Sequence, residues 1–181
     1  MFDKWALNAA TWINNQNPKQ TASVAVLHFA LTGLLNSLTV FFIIIVIGAI
    51  TGHIGDSLLA SLFFVFLHFF SGGFHFKSVW ICTIFSSSMM ISSFLIPLSL
   101  DWLHALTIFT IIILIAFAPS NIENHARISK RYFPLLKLIS VLIVTINLFM
   151  QNTAVCYAIF LQALLVIPYS KLWIRRRWEL R

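Results

Sequence analysis

Long apolar runs separated by short polar breaks cover the chain from about residue 22 onward. The runs lie at about 22–50, 57–70, 78–97, 102–118, 134–150 and 153–169. A helix crossing a bilayer needs about 20 apolar residues, within a range of about 17–25. The first run is too long for one straight span. It either tilts or breaks near Thr32-Gly33 or Asn36-Ser37, its first part lying flat. The second is too short alone and must borrow from the flanking "TGHIG" or "SGGF". The other four fit. Ahead of them, Phe2, Trp5, Ala6, Ala9, Trp12 and Ile13 recur at helical spacing, with Asp3, Lys4, Asn8 and Thr11 on the other face. This pattern predicts a short amphipathic helix in the membrane interface, ended by "NNQNPKQ". The fold class expected is all-α: a polytopic integral membrane protein of about six transmembrane helices plus that interfacial helix. Residues 1–181 form one domain, of which 1–21 are the interfacial helix and linker.

Composition agrees. Of the 181 residues, 60% are hydrophobic and 9% charged, whereas a soluble domain carries about a quarter charged residues. The first twenty residues lack a compact apolar core, so no cleavable signal peptide is expected.

Charge sets the orientation. With six spans and both termini in the cytoplasm, the inner regions are 1–21, 71–77, 119–137 and 170–181. All twelve Lys and Arg residues fall there. The outer turns near 51–56, 98–101 and 151–152 hold only Asp56 and Asp101. This is the positive-inside pattern without exception, and an odd number of spans would break it.

One inner turn carries reactive groups. "SGGFHFKSVWIC" spans Ser71 to Cys82 and joins spans two and three. A cysteine attacks as its thiolate, and a neighbouring imidazole can take the proton. Seven residues on one continuous helix return to nearly the same face, but about 10 Å along the axis. His75 and Cys82 therefore cannot pair if 75–82 is one regular helix. Gly72 and Gly73 allow a non-helical turn that folds the imidazole back, and they expose N–H groups that are candidate oxyanion donors. Ser71 is another candidate donor. The same residues also suit an ordinary turn with an interfacial histidine and a space-filling cysteine. Both readings stand on residue types alone.

The stretch resembles the AgrB family, membrane peptidases that process quorum-sensing propeptides in Gram-positive bacteria. That family has a small residue, Gly-Gly, any residue, His, and a cysteine seven after the histidine. Ser71, Gly72, Gly73, His75 and Cys82 match; His68 stands at the usual arginine and Phe76 at the usual alanine. A second motif, "APSNIENHARISKR", matches at Ala118, Pro119 and Asn121, with His125 for a common lysine and Ala126 for a proline. The resemblance covers most of the chain.

The resemblance implies that Cys82 is the nucleophile and His75 the general base of a cysteine endopeptidase at the cytoplasmic face of the bacterial cell membrane. The substrate implied is an AgrD-like propeptide, cut near its C-terminus through an acyl-enzyme thioester, so that a cyclic thiolactone or lactone autoinducer can close. A homodimer is also implied. Asn121 or Glu123 is a candidate orienter of His75. Arg127, Lys130 and Arg131 are candidate binders of an acidic propeptide tail, though inner basic residues also serve topology and contact membrane lipids. No cofactor, metal or nucleic acid is expected. Cys156 reads as packing, and Ser86–Ser88, Ser92 and Ser93 as small residues for close helix approach. The rival readings are a small transporter or exporter subunit, and an inactive AgrB-like scaffold. The spans hold no Asp, Glu, Lys or Arg near mid-bilayer, which argues against ion-coupled transport.

Overall fold

The computed structural model describes residues 2–18, 20–74, 78–96, 98–120 and 129–168. Seven α-helices make up almost all of it: α1 (Phe2–Gln16), α2 (Val24–Ile50), α3 (Ile54–Ser71), α4 (Val79–Leu95), α5 (Leu100–Phe117), α6 (Phe133–Met150) and α7 (Thr153–Val166). A 3₁₀ turn at Lys130–Tyr132 leads into α6. Among the described residues there is no strand, only an isolated bridge between Gly72 and Ser120.

The apolar runs became helices with instructive boundaries. The first run is one unbroken helix of 27 residues. Neither Thr32-Gly33 nor Asn36-Ser37 breaks it, because side chains of nearby residues turn back onto their own helix: Ser37 Oγ donates to Gly33 O at 3.0 Å and Thr39 Oγ1 to Leu35 O at 2.8 Å. Polar groups satisfied in this way are tolerated in an apolar helix. The second run borrows from both flanks, starting at Ile54 and ending at Ser71. Four helices are long and apolar enough to cross a membrane: Val24–Ile50, Ile54–Ser71, Leu100–Phe117 and Lys130–Met150. The helices Val79–Leu95 and Thr153–Val166 are also apolar but shorter. The protein is thus an all-helical integral membrane protein.

Helix α1 lies along α2. Ala6 and Ala10 are fully buried between them, while Trp5 and Trp12 are largely exposed. Asp3 Oδ1 and His28 Nε2, 2.9 Å apart, tie the two helices at their start.

The centre of the bundle is α7. Its buried residues include Val155, Ile159 and Val166 on one side and Ala154 and Ala158 on another. It packs on α3, α4, α5 and α6. The small side chains let neighbouring backbones come close, which is how helices associate where lipid removes the hydrophobic drive. Two core clusters meet on it. One joins Leu67 of α3, Ile113 and Leu114 of α5 and Val144 of α6. The other joins Ile44 of α2, Ala60 of α3, and Met90 and Phe94 of α4.

Helix ends are closed by specific donors. Asn152 caps α7, accepting from Val155 N at 2.9 Å, and its Nδ2 donates to Asp56 Oδ1 at 2.9 Å. That contact fixes the α6–α7 turn to the start of α3. At the opposite end, Lys137 Nζ donates to Ile115 O at 2.7 Å. The lysine thereby satisfies one of the last, otherwise unpaired, carbonyls of α5.

Candidate active site at the α3–α4 turn

Ser71, at the end of α3, is followed by a backbone that only glycine adopts with ease. Gly72 has φ 69° and ψ −158°, a region that carries a steric penalty for any residue with a Cβ. Gly73 sits in a tight space: a Cβ there would lie 3.2 Å from His68 Cε1 and 3.3 Å from Gln162 Nε2, so those side chains would have to give way.

The turn is then stitched into the bundle. Gly72 N donates to His68 O at 2.9 Å, closing α3. Ser120 N donates to Ser71 O at 2.9 Å, and Gly73 N donates to Ser120 O at 3.2 Å. Phe74 N donates to Leu165 O at 2.8 Å, using a terminal carbonyl of α7. The "SGG" and "APS" segments, far apart in sequence, thus meet through two backbone hydrogen bonds.

Gln162 of α7, fully buried, reaches the same turn. Its Nε2 donates to Gly72 O at 2.8 Å, lies 2.9 Å from His68 Nδ1 and contacts Ser71 Oγ at 3.4 Å. His68 also stacks on Phe64, with ring centroids 6.2 Å apart and planes 3° off parallel. Where the sequence pattern leads one to expect an arginine, the chain has a histidine in contact with a glutamine.

These bonds decide what the glycines do. The N–H groups of Gly72 and Gly73 both donate to carbonyls, and Ser71 Oγ is buried, donating to Gly72 O at 3.2 Å. All three residues are thus engaged within the turn.

Helix α4 starts at Val79, with Ser78 extended as its N-cap (φ −88°, ψ 122°). The regular helix that carries Cys82 therefore begins only at Val79. Cys82 stands in the first turns of α4 and lines a cavity of about 160 Å³ together with Asn36, Phe64, His68, Phe74 and Phe85. Asn36 Nδ2 lies 3.9 Å from Cys82 Sγ, and Thr83 Oγ1 donates to Asn36 Oδ1. The other cysteine differs. Cys156 is fully buried between α5 and α7, its Sγ 3.5 Å from Leu103 O and 3.6 Å from Thr107 Oγ1.

Of the remaining expected site residues, His75, Asn121, Glu123 and Arg127 lie outside the described residues. Lys130 and Arg131 are exposed at the start of α6, and Arg131 lies 4.8 Å from the centre of the Tyr132 ring while donating to its hydroxyl at 2.9 Å. Sequence reasoning missed Asn36 and Gln162. Their one signal was an amide inside an apolar run.

No curated protein and no solved structure matches the chain. The family model for accessory gene regulator B matches residues 6–170. That match takes in both motifs that meet at the turn, and the chain belongs to the AgrB family, whose membrane peptidases take part in processing quorum-sensing propeptides.

Proposed function

We propose that this protein is a cysteine endopeptidase of the cytoplasmic membrane face, with six spans and both termini inside. It cleaves an AgrD-like propeptide so that a cyclic autoinducer can form. The observation that carries this reading is the placement of Cys82. Cys82 lines a partly open cavity that also includes Phe74 of the turn where the two family motifs are hydrogen-bonded together.

The chemistry follows from the residue types. His75 takes the Cys82 proton, and the sulfur attacks the scissile carbonyl. The tetrahedral adduct collapses as the C–N bond breaks, and the imidazolium gives its proton to the leaving amine. The product is a thioester between Cys82 and the propeptide. The propeptide's own thiol or hydroxyl, deprotonated by His75, then adds to that thioester and expels Cys82, closing the ring. Exchange of one thioester for another is nearly balanced in energy, so the site must favour ring closure by holding the nucleophile close and keeping water out. A mostly apolar cavity suits both needs. Lys130 and Arg131, exposed just before α6, together with Arg127, attract the acidic tail that is released.

The test is co-expression with an AgrD-type propeptide and mass spectrometry of the products. Cys82→Ala and Cys82→Ser are expected to abolish cleavage, and Cys156→Ala to leave it intact. Equal processing by all three variants would remove Cys82 as nucleophile.

A further inference from the structure

We propose that the side-chain amide of Asn36 is the oxyanion donor for the reaction at Cys82. This inference rests on the cysteine-peptidase reading above and adds a residue from a different helix to its machinery.

Three observations lead to it. The first is that several nearby backbone donors are already engaged. The N–H groups of Gly72, Gly73 and Phe74 are all bound to carbonyls, and Cys82 N donates to Ser78 O at 3.0 Å. The second is geometry. Asn36 Nδ2 approaches the sulfur at 3.9 Å, and both residues face one cavity. In the adduct the oxyanion sits one bond from the carbon that the sulfur has attacked. A donor must lie about 2.7–3.1 Å from that oxygen. A nitrogen slightly farther than this from the sulfur leaves room for the oxygen between them. The third is orientation. The Thr83 hydroxyl, on the residue next to the nucleophile, lies within reach of both Val79 O and the Asn36 side-chain oxygen. With its single proton on Asn36 Oδ1, the amide nitrogen faces Cys82, and the contact links α2 to α4 at the site. An oriented donor costs no reorganisation when charge develops, which is why such groups are effective in a water-poor site.

In the reaction, the carbonyl π pair moves onto oxygen as the C–S bond forms, and Asn36 Nδ2–H donates to that oxygen. When the C–N bond breaks, the pair returns to the carbonyl. The same donor serves again when the propeptide's nucleophile adds to the thioester.

The experiment compares Asn36→Ala, Asn36→Leu and Cys82→Ala in the full chain in membranes with a co-expressed AgrD-type propeptide. Two rates are read: propeptide cleavage, and alkylation of Cys82 by iodoacetamide, a reaction that forms no oxyanion. The leucine variant keeps the approximate size and removes the donor without adding a charge beside the sulfur, so it answers the question if the alanine variant does not fold. Both Asn36 variants are expected to slow cleavage about 10²–10³-fold with alkylation unchanged. Cleavage at the wild-type rate overturns the inference. So does a parallel fall in both rates, because Asn36 would then act on the thiol itself. Persistent cleavage in Cys82→Ala would instead overturn the cysteine-peptidase reading on which the inference stands.

Discussion

The two cysteines sit in helices that touch each other, yet in opposite surroundings. Cys156 is enclosed by α5 and α7, where a carbonyl and a threonine hydroxyl fill the space around its sulfur. Cys82 borders a cavity, at a helix start, beside an amide from α2. Burial alone does not separate them, since both are buried. What separates them is whether there is room for a second molecule. A cysteine that fills space needs close contact on every side. A nucleophile needs one side left open, and the bundle must hold that opening without collapsing into it.

The largest effect should come from probing that difference directly. A membrane-permeant maleimide is expected to label Cys82 faster than Cys156 by on the order of 10³-fold, because Cys156 reacts only when its helices part locally. Labelling followed by peptide mapping measures the ratio. Comparable rates would mean that the α5–α7 contact is loose and the contrast false.

The next effect sharpens the role of the turn. Gly72→Ala places a Cβ where the backbone carries a penalty of about 1–3 kcal/mol. Propeptide cleavage is expected to fall roughly 10-fold or more, while Cys156 labelling stays as in the wild type. An unchanged cleavage rate would show that the turn's geometry does not matter to the site.

The smallest effect concerns Gln162. Gln162→Leu removes the donor to Gly72 O and His68 Nδ1. Interhelical hydrogen bonds in membranes are worth about 0.6 kcal/mol on average and about 1.7 at most. A loss of cleavage of several-fold is therefore expected, together with a lower melting temperature in detergent. Full activity with unchanged melting would assign the turn's hold to the backbone bonds alone.

Much of the architecture was legible in the sequence, and the reasons are physical. The bilayer fixes helix length, so the apolar runs marked six helices, and the amphipathic spacing of Trp5, Ala6 and Trp12 marked a seventh. Helix length in this structure was harder to read. Four helices meet the length of a full span and two are shorter, because α4 and α7 are bounded by Ser78 and Ile167, positions that an apolar count does not distinguish from helix. The motif pointed to Cys82, but not to what surrounds it. Asn36 was read as a candidate break in a long run. A polar residue in an apolar segment looks the same whether it interrupts a helix or faces a partner across an interface. Only the Thr83 hydroxyl and the Cys82 sulfur, brought in from α4, decide between the two. Gln162 was silent for the same reason, because its partners lie on α3.

The hold of α7 on the turn also imposes an order of events during synthesis. Gln162 bonds Gly72 across ninety residues of chain, and the carbonyl of Leu165 anchors Phe74. A ribosome must therefore deliver α7 before the bend after α3 can set. A nascent chain still lacking that helix would carry Cys82 without the frame that holds the turn, so the geometry of the site arises late, as a property of the assembled bundle.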